Sequence, residues 1–208
     1  NVIVTSVARP DYVNVFLGRI GSFIADNKLG DGSGAGEMAF IASQNWVTGL
    51  SAKNPWQTRL IAASLREYRQ IELLAGADVF TMPPKVAASG KKLLKNKFTS
   101  RMHENYEVNI SDYGKMAHLE KFWEVDDKTL EFAEKISDKV PASGNELINI
   151  AYDEGCGELF PMLSREEKTF LAADGKIPGY SRWEKKIQEG KIAPDSLLNI
   201  AGLASFTS

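Results

Sequence analysis

Short apolar runs rich in β-branched residues alternate with segments of helical periodicity through the first half of the chain. The runs Asn1 to Val7 (NVIVTSV), Asp11 to Leu17 (DYVNVFL), Thr58 to Ser64 (TRLIAAS) and Ala77 to Met82 (ADVFTM) predict strands. The continuous apolar character of the first two suits strands buried on both faces. A Gly-rich loop follows the second run, and Glu37 to Leu50 then predicts a helix, with Met38, Ile41, Ala42, Trp46 and Leu50 near helical spacing. Arg66 to Ala75 predicts a helix closed by Gly76, and Lys85 to Lys97 another, begun after Pro83 and Pro84. Strand and helix in alternation describe an α/β fold with a parallel sheet covered by helices. The first junction does not fit. Only Ala8, Arg9 and Pro10 separate the first two runs, whereas a parallel crossover takes about a dozen residues or more. Either those runs are not neighbours or a helix is absent between them.

From about Thr99 the chain becomes helical and more polar. Three Ser-x-x-Glu words predict capping boxes: Ser143 with Glu146, Ser164 with Glu167, and Ser181 with Glu184. Gly155, Gly175 and Gly190 are placed to stop the helices these open. Asp126 to Lys139 is a further amphipathic helix, acidic at its start and basic at its end, as the macrodipole favours. Residues 99–208 thus read as the closing helix of the α/β unit plus an all-helical extension, without internal repeats.

Composition narrows the function class. The 208 residues are 43% hydrophobic and 25% charged with a net charge of −2, which gives no electrostatic case for nucleic acid or an anionic membrane. No run approaches the roughly 18 apolar residues of a membrane helix, and no signal segment is recognisable. The chain opens at Asn1 within a predicted strand, so residues preceding it are expected. A lone cysteine, Cys156, excludes an internal disulfide framework and suits a reducing compartment.

Two predicted strands end in an arginine-bearing turn: Phe16-Leu17-Gly18-Arg19-Ile20 and Ala63-Ser64-Leu65-Arg66. In parallel α/β folds, ligands sit beyond the carboxyl ends of the strands. Two guanidinium groups and a hydroxyl there can grip a phosphate dianion, at about 1.5–3 kcal/mol per charge-assisted hydrogen bond. Surface caps or ion pairs on a helix face explain the same arginines, and pattern alone leaves both readings open.

The runs DYVNVFLGRI and LIAASLREYRQIELLAGADVFTMPPKV, in that order, resemble the second half of the transaldolase family. The resemblance covers about residues 11–90 and extends to about 136 through HLEKFWEVDDKTLEFAEKI. It implies a (β/α) TIM-barrel type fold, incomplete at the N-terminus, with residues 1–139 as the C-terminal part of the barrel and residues 140–208 as the helical extension. The implied activity is transfer of a dihydroxyacetone unit between sugar phosphates through a Schiff base, in the pentose phosphate pathway and the cytoplasm. By resemblance, Arg19, Ser64 and Arg66 hold the substrate phosphate. Asn14 falls where the family usually shows a serine facing that phosphate, and its amide can still donate. Phe16 lines the substrate pocket and resembles transaldolases proper rather than the small fructose-6-phosphate aldolases, which carry a tyrosine there.

No catalytic residue is assigned. The family reaction needs a strand lysine and acidic groups, and these lie on earlier strands not found here. Lys176-Ile177-Pro178 spells the local word around that lysine but lies in a helical, polar region, and Lys85 matches a family lysine without catalytic standing. Asn1 and Thr5 depart from the spacing of the family's Asn-x-Thr strand. The alternative function is a non-catalytic sugar-phosphate-binding or scaffold protein derived from the same fold. With fewer strands than a barrel needs, the chain is expected to pair with another copy, remain partly open, or be part of something longer.

Other candidates are weaker. The loop holding Gly30, Gly32, Gly34 and Gly36 lacks both the G-x-G-x-x-G spacing and a Walker lysine, and reads as a mobile connection. Asp31 and Glu37 in that loop could meet a cation, yet no EF-hand spacing supports one. His103 and His118 lack ligand-spaced partners, so neither metal nor cofactor is expected. Trp46, Trp56, Trp123 and Trp183 read as core anchors, and Lys91 to Lys97 as a solvated helix end. Cys156 lies near Glu154 and Glu158, which disfavour its thiolate, so no nucleophile is expected.

Overall fold

Valine and larger or polar side chains alternate along β1 (Tyr12–Phe16), the first strand of the computed structural model, which describes residues 5, 7–53, 57–95 and 98–207. Successive strand residues face opposite ways. Val13 and Val15 therefore pack among the core residues, while Tyr12, Asn14 and Phe16 are exposed on the other face. Strand β1 pairs in parallel with β2 (Arg59–Ala63), and β2 with the two-residue β3 (Val79–Phe80), giving the order β1-β2-β3. The register sets Val13 beside Leu60, Val15 beside Ala62 and Phe16 beside Ala63. The expectation that β1 is buried on both faces is thus corrected: Tyr12 is 50% and Phe16 37% exposed.

The parallel α/β pattern stands, but no closed barrel is seen among the described residues, whose sheet has three strands where such a barrel has about eight. The strand expected over Asn1 to Val7 is also corrected. Thr5, Val7 and Ala8 are helical, and the Arg9 N–H donates to the Thr5 carbonyl at 2.9 Å, while Asn1 to Val4 and Ser6 lie outside the described residues. Arg9 then takes a left-handed φ of 45° before Pro10, a common way for a helix to stop. With Thr5, Val7 and Ala8 in a helix and in no strand, the short junction to β1 needs no crossover at these residues.

Helix α1 (Leu17–Asp26) follows β1 directly, where a Gly-rich loop was expected. Its apolar stripe of Leu17, Ile20, Phe23 and Ile24 is buried. The glycine-rich connection comes later, leading into α2 (Ala35–Lys53). Between β2 and β3 lies α3 (Arg69–Leu73), and Pro84 starts α4 (Pro84–Leu93), which carries Lys91 and Lys92 in its last turn and stops short of the expected Lys97, a residue that with Asn96 lies outside the described residues.

After an irregular stretch and two short 3-10 turns come α5 (Asp127–Asp138), α6 (Gly144–Asp153), α7 (Arg165–Asp174), α8 (Tyr180–Gln188) and α9 (Pro194–Thr207). Of the expected capping boxes, the Ser164–Glu167 box is complete. Ser143 accepts from the Glu146 N–H, but the Glu146 carboxylate turns to the Ala142 N–H. Ser181 lies inside α8, so the third box does not form. Gly155, Gly175 and Gly190 all take left-handed φ values at helix ends, as expected.

The packing joins the sheet's neighbourhood to the C-terminal helices. Ile20, Phe23 and Ile24 of α1 share one core with Leu171 of α7, Tyr180, Trp183 and Ile187 of α8, and Leu197, Leu198 and Ala201 of α9. A second core forms under the sheet from Leu17, Phe40, Ile41, Leu60, Ala62 and Leu74. Asn27, just after α1, fastens the junction: its amide donates to the Phe23 and Pro178 carbonyls, and its Oδ1 accepts from the Tyr180 N–H at 2.7 Å.

Candidate functional site

The carboxyl ends of β1 and β2 lie side by side because Phe16 and Ala63 are register partners. The residues that follow them therefore meet. A β-carbon at Gly18 would stand 2.5 Å from Arg66 Nε, 2.6 Å from the Ser64 carbonyl oxygen and 2.8 Å from Ser64 Oγ. Only glycine permits this approach, so the first turn of α1 presses onto the turn after β2. Gly36 acts similarly at the start of α2, where a β-carbon would stand 2.7 Å from both Cα and O of Leu17.

Ser64 takes a left-handed φ of 62°, a conformation costing about 1–3 kcal/mol for a residue with a β-carbon. The turn that follows is held by one side chain. Gln70 Oε1 accepts from the Arg66 N–H at 2.6 Å and the Glu67 N–H at 3.2 Å. Gln70 Nε2 donates in turn to Glu37 Oε1 at 2.7 Å in the interior. This accounts for α3 beginning at Arg69 rather than at the expected Arg66, since the side-chain bonds shape a turn ahead of the helix.

Arg19 lies one residue beyond Gly18, half-buried, with its guanidinium carbon 4.8 Å from the centre of the Phe16 ring. Burial lowers its pKa from the ordinary arginine value, yet a guanidinium keeps its charge in any protein setting. The Arg19 side chain also lies against Gly202 of α9, where a β-carbon would collide with its Nη1. Arg66 is exposed and Ser64 half-buried. Among the described residues, neither Arg19 nor Arg66 has a carboxylate within salt-bridge distance. The Arg66 side chain and the Ser64 hydroxyl share the space over Gly18, while the Arg19 guanidinium lies over Phe16 and toward α9; a cation without a carboxylate partner suits an anion.

Asn14 sits two residues before Phe16 on the exposed sheet face, beside Ile61 in the register. Gly18, Ser64 and Arg66 are thus in direct proximity. Arg19 and Phe16 form an adjoining pair that reaches toward α9, and Asn14 lies further down the open face. Sequence reading passed over Gln70 and Gly202, and considered Glu37 only as a possible cation contact. The signal for Gln70 was a glutamine four residues after Arg66, within reach of the turn's backbone.

A family model described as Transaldolase/Fructose-6-phosphate aldolase matches residues 3–140. The chain belongs to this family. Neither the curated proteins nor the solved structures compared with the chain give a match. The transaldolase-family segment therefore contains Arg19, Ser64 and Arg66, whereas Gly202, which abuts Arg19, comes from beyond the matched residues.

The weaker candidates read from the sequence fall in turns, helices and cores. The glycine-rich connection runs between two helices and packs on residues 107–110: Gly30 bridges Ile110, the Asp31 N–H donates to the Asn109 carbonyl, and Asp31 Oδ1 accepts from the Ser33 N–H. Glu37 is buried in the first turn of α2 and paired with Gln70, which corrects its grouping with Asp31. His103 lies near Glu104 and His118 near Glu120, and no three metal-capable side chains gather among the described residues. Trp183 is a core residue, Trp46 and Trp123 pack against cores, and Trp56 lies outside the described residues. Burial, and then Glu158, raise the Cys156 thiol pKa, a state unsuited to nucleophilic attack. Lys176 is exposed in the turn after α7, and Lys85 at the start of α4. No helix among the described residues is long and apolar enough to cross a membrane.

Proposed function

We propose that this chain supplies the phosphate-binding half of a transaldolase-type transferase, which moves a dihydroxyacetone unit between sugar phosphates of the pentose phosphate pathway. Arg19, Ser64 and Arg66 grip the phosphate of the sugar at the carboxyl ends of β1 and β2. Phe16 walls the pocket, and the Asn14 amide donates toward the substrate from the open sheet face. The observation that carries this reading is the close approach of Gly18 to Ser64 and Arg66, with Arg19 the next residue of the chain and no carboxylate within salt-bridge distance of either guanidinium among the described residues.

The chemistry of carbon transfer requires an amine to form an imine with the ketose carbonyl. None of the strands YVNVF, RLIAA and VF carries a lysine, so this chain's contribution is to bind and orient. That same fact favours a second reading, in which the protein binds sugar phosphates without transforming them. Both readings place the anion at the same residues.

The test is discrimination between fructose 6-phosphate and unphosphorylated fructose by calorimetric titration. Two charge-assisted contacts predict fructose 6-phosphate binding at least about 100-fold tighter. Equal affinity for the two sugars would remove the phosphate assignment.

A further inference from the structure

The turn that presents Ser64 and Arg66 is not held by main-chain bonds alone. Its geometry depends on a side-chain relay from α2. Gln70 and Glu37 are 8% and 6% exposed, and the two side chains bond to each other across 33 positions of sequence. Because main-chain N–H groups can only donate, the Gln70 oxygen must face Arg66 and Glu67, and its NH2 must face the Glu37 carboxylate. The order donor, amide, carboxylate is therefore fixed by chemistry. Glu37 itself stands in the first turn of α2, where the helix dipole favours a carboxylate. Its neighbour Gly36 packs on Leu17, which links β1 to the turn bearing Gly18 and Arg19. A single chain of contacts thus couples the segments that follow both strands.

Resting on the sugar-phosphate reading above, we propose that Glu37 and Gln70 are positioning residues for that site. The buried carboxylate orients the glutamine amide, and the amide holds the Arg66 and Glu67 N–H groups so that Ser64 and Arg66 face the anion together. A glutamine serving the fold alone would tolerate a shift of this turn; the phosphate site would not.

The test uses the full chain and inorganic phosphate followed by calorimetry, with unfolding midpoints measured in parallel. Gln70→Glu sets two carboxylates against each other and is expected to weaken phosphate binding at least about tenfold. Glu37→Met leaves the Gln70 NH2 without its acceptor and is expected to weaken phosphate binding by about tenfold as well. The exchange Glu37→Gln with Gln70→Glu restores one carboxylate and one amide with the donor moved to position 37, and should bring affinity back to within about threefold. If Gln70→Glu does not fold, Gln70→Met, which neither donates nor accepts strongly, carries the same expected tenfold loss.

Unchanged phosphate affinity in a folded Gln70→Glu protein, or failure of the exchange to restore binding, overturns the relay. If Arg66→Ala weakens binding in the same series, the phosphate reading survives that result. If phosphate does not bind the parent protein, or binds Arg66→Ala equally well, both fall.

Discussion

Trp183→Ala is expected to destabilise the protein by about 3–5 kcal/mol, a fall in Tm on the order of 10 °C. Trp183 is 2% exposed and lies in the core that Ile20, Phe23 and Ile24 of α1 share with α7, α8 and α9. Truncation removes a large apolar surface and leaves a cavity that neighbouring side chains fill only in part. One term works against the loss. The buried Trp183 Nε1–H has no partner among the described residues, so its removal relieves an unsatisfied donor worth about 1–3 kcal/mol. The net cost should therefore fall in the lower part of the range. Because α1 also carries Arg19, the melt followed by circular dichroism should remain one cooperative transition shifted to lower temperature. A change below 1 kcal/mol by the same ledger, or a separate early transition for the C-terminal helices, would contradict the shared core.

Removing both arginines should have the largest effect on ligand binding. Each charge-assisted contact to a phosphate contributes about 1.5–3 kcal/mol, so Arg19→Ala with Arg66→Ala predicts roughly a hundredfold or greater loss of fructose 6-phosphate affinity. The single variants should not be equal. Arg19 is half-buried against Phe16 and Gly202, where water screens less, whereas Arg66 is exposed. Arg19→Ala should therefore cost more. The double variant should lose less than the sum, because both cations act on one anion. Calorimetric titration of the three variants checks this. If all three bound fructose 6-phosphate like the parent protein, the arginines would be surface cations with no ligand role.

The elements most legible in the sequence were those whose local and tertiary preferences agree. Apolar Leu60, Ala62 and Ala63 mark β2, and Pro84 marks the start of α4. Ser164 and Glu167 close their capping box without outside help. The misreadings came where tertiary contacts overrode local character. Gly18 and Gly21 made α1 look like a loop, yet a close approach to the turn after β2 demands glycine at position 18. The β-branched word NVIVTSV suggested a strand, but Thr5, Val7 and Ala8 make helix instead. The alternation of Val13 and Val15 with Tyr12, Asn14 and Phe16 was a visible sign that β1 has one solvent-facing side.

For the site, the residues carried over from the family resemblance were visible in sequence, and the turn that holds them was not. Arg19, Ser64 and Arg66 sit in short words at strand ends. Gln70 and Glu37 act through a contact spanning 33 positions, which only the folded chain brings together. The touch between Gly202 and Arg19 likewise joins the last helix to the first, and no sequence periodicity encodes it.

The most direct measurement is a backbone-amide NMR titration of the protein with fructose 6-phosphate. Binding at the proposed cradle should move the amide signals of Gly18, Arg19, Ser64, Leu65 and Arg66 together along one saturation curve, while Met162 and Leu203, which line an apolar groove with Ile148, Phe160 and Ile200, stay unmoved. Shifts confined to that groove, or an unperturbed spectrum at saturating sugar phosphate, would contradict the account.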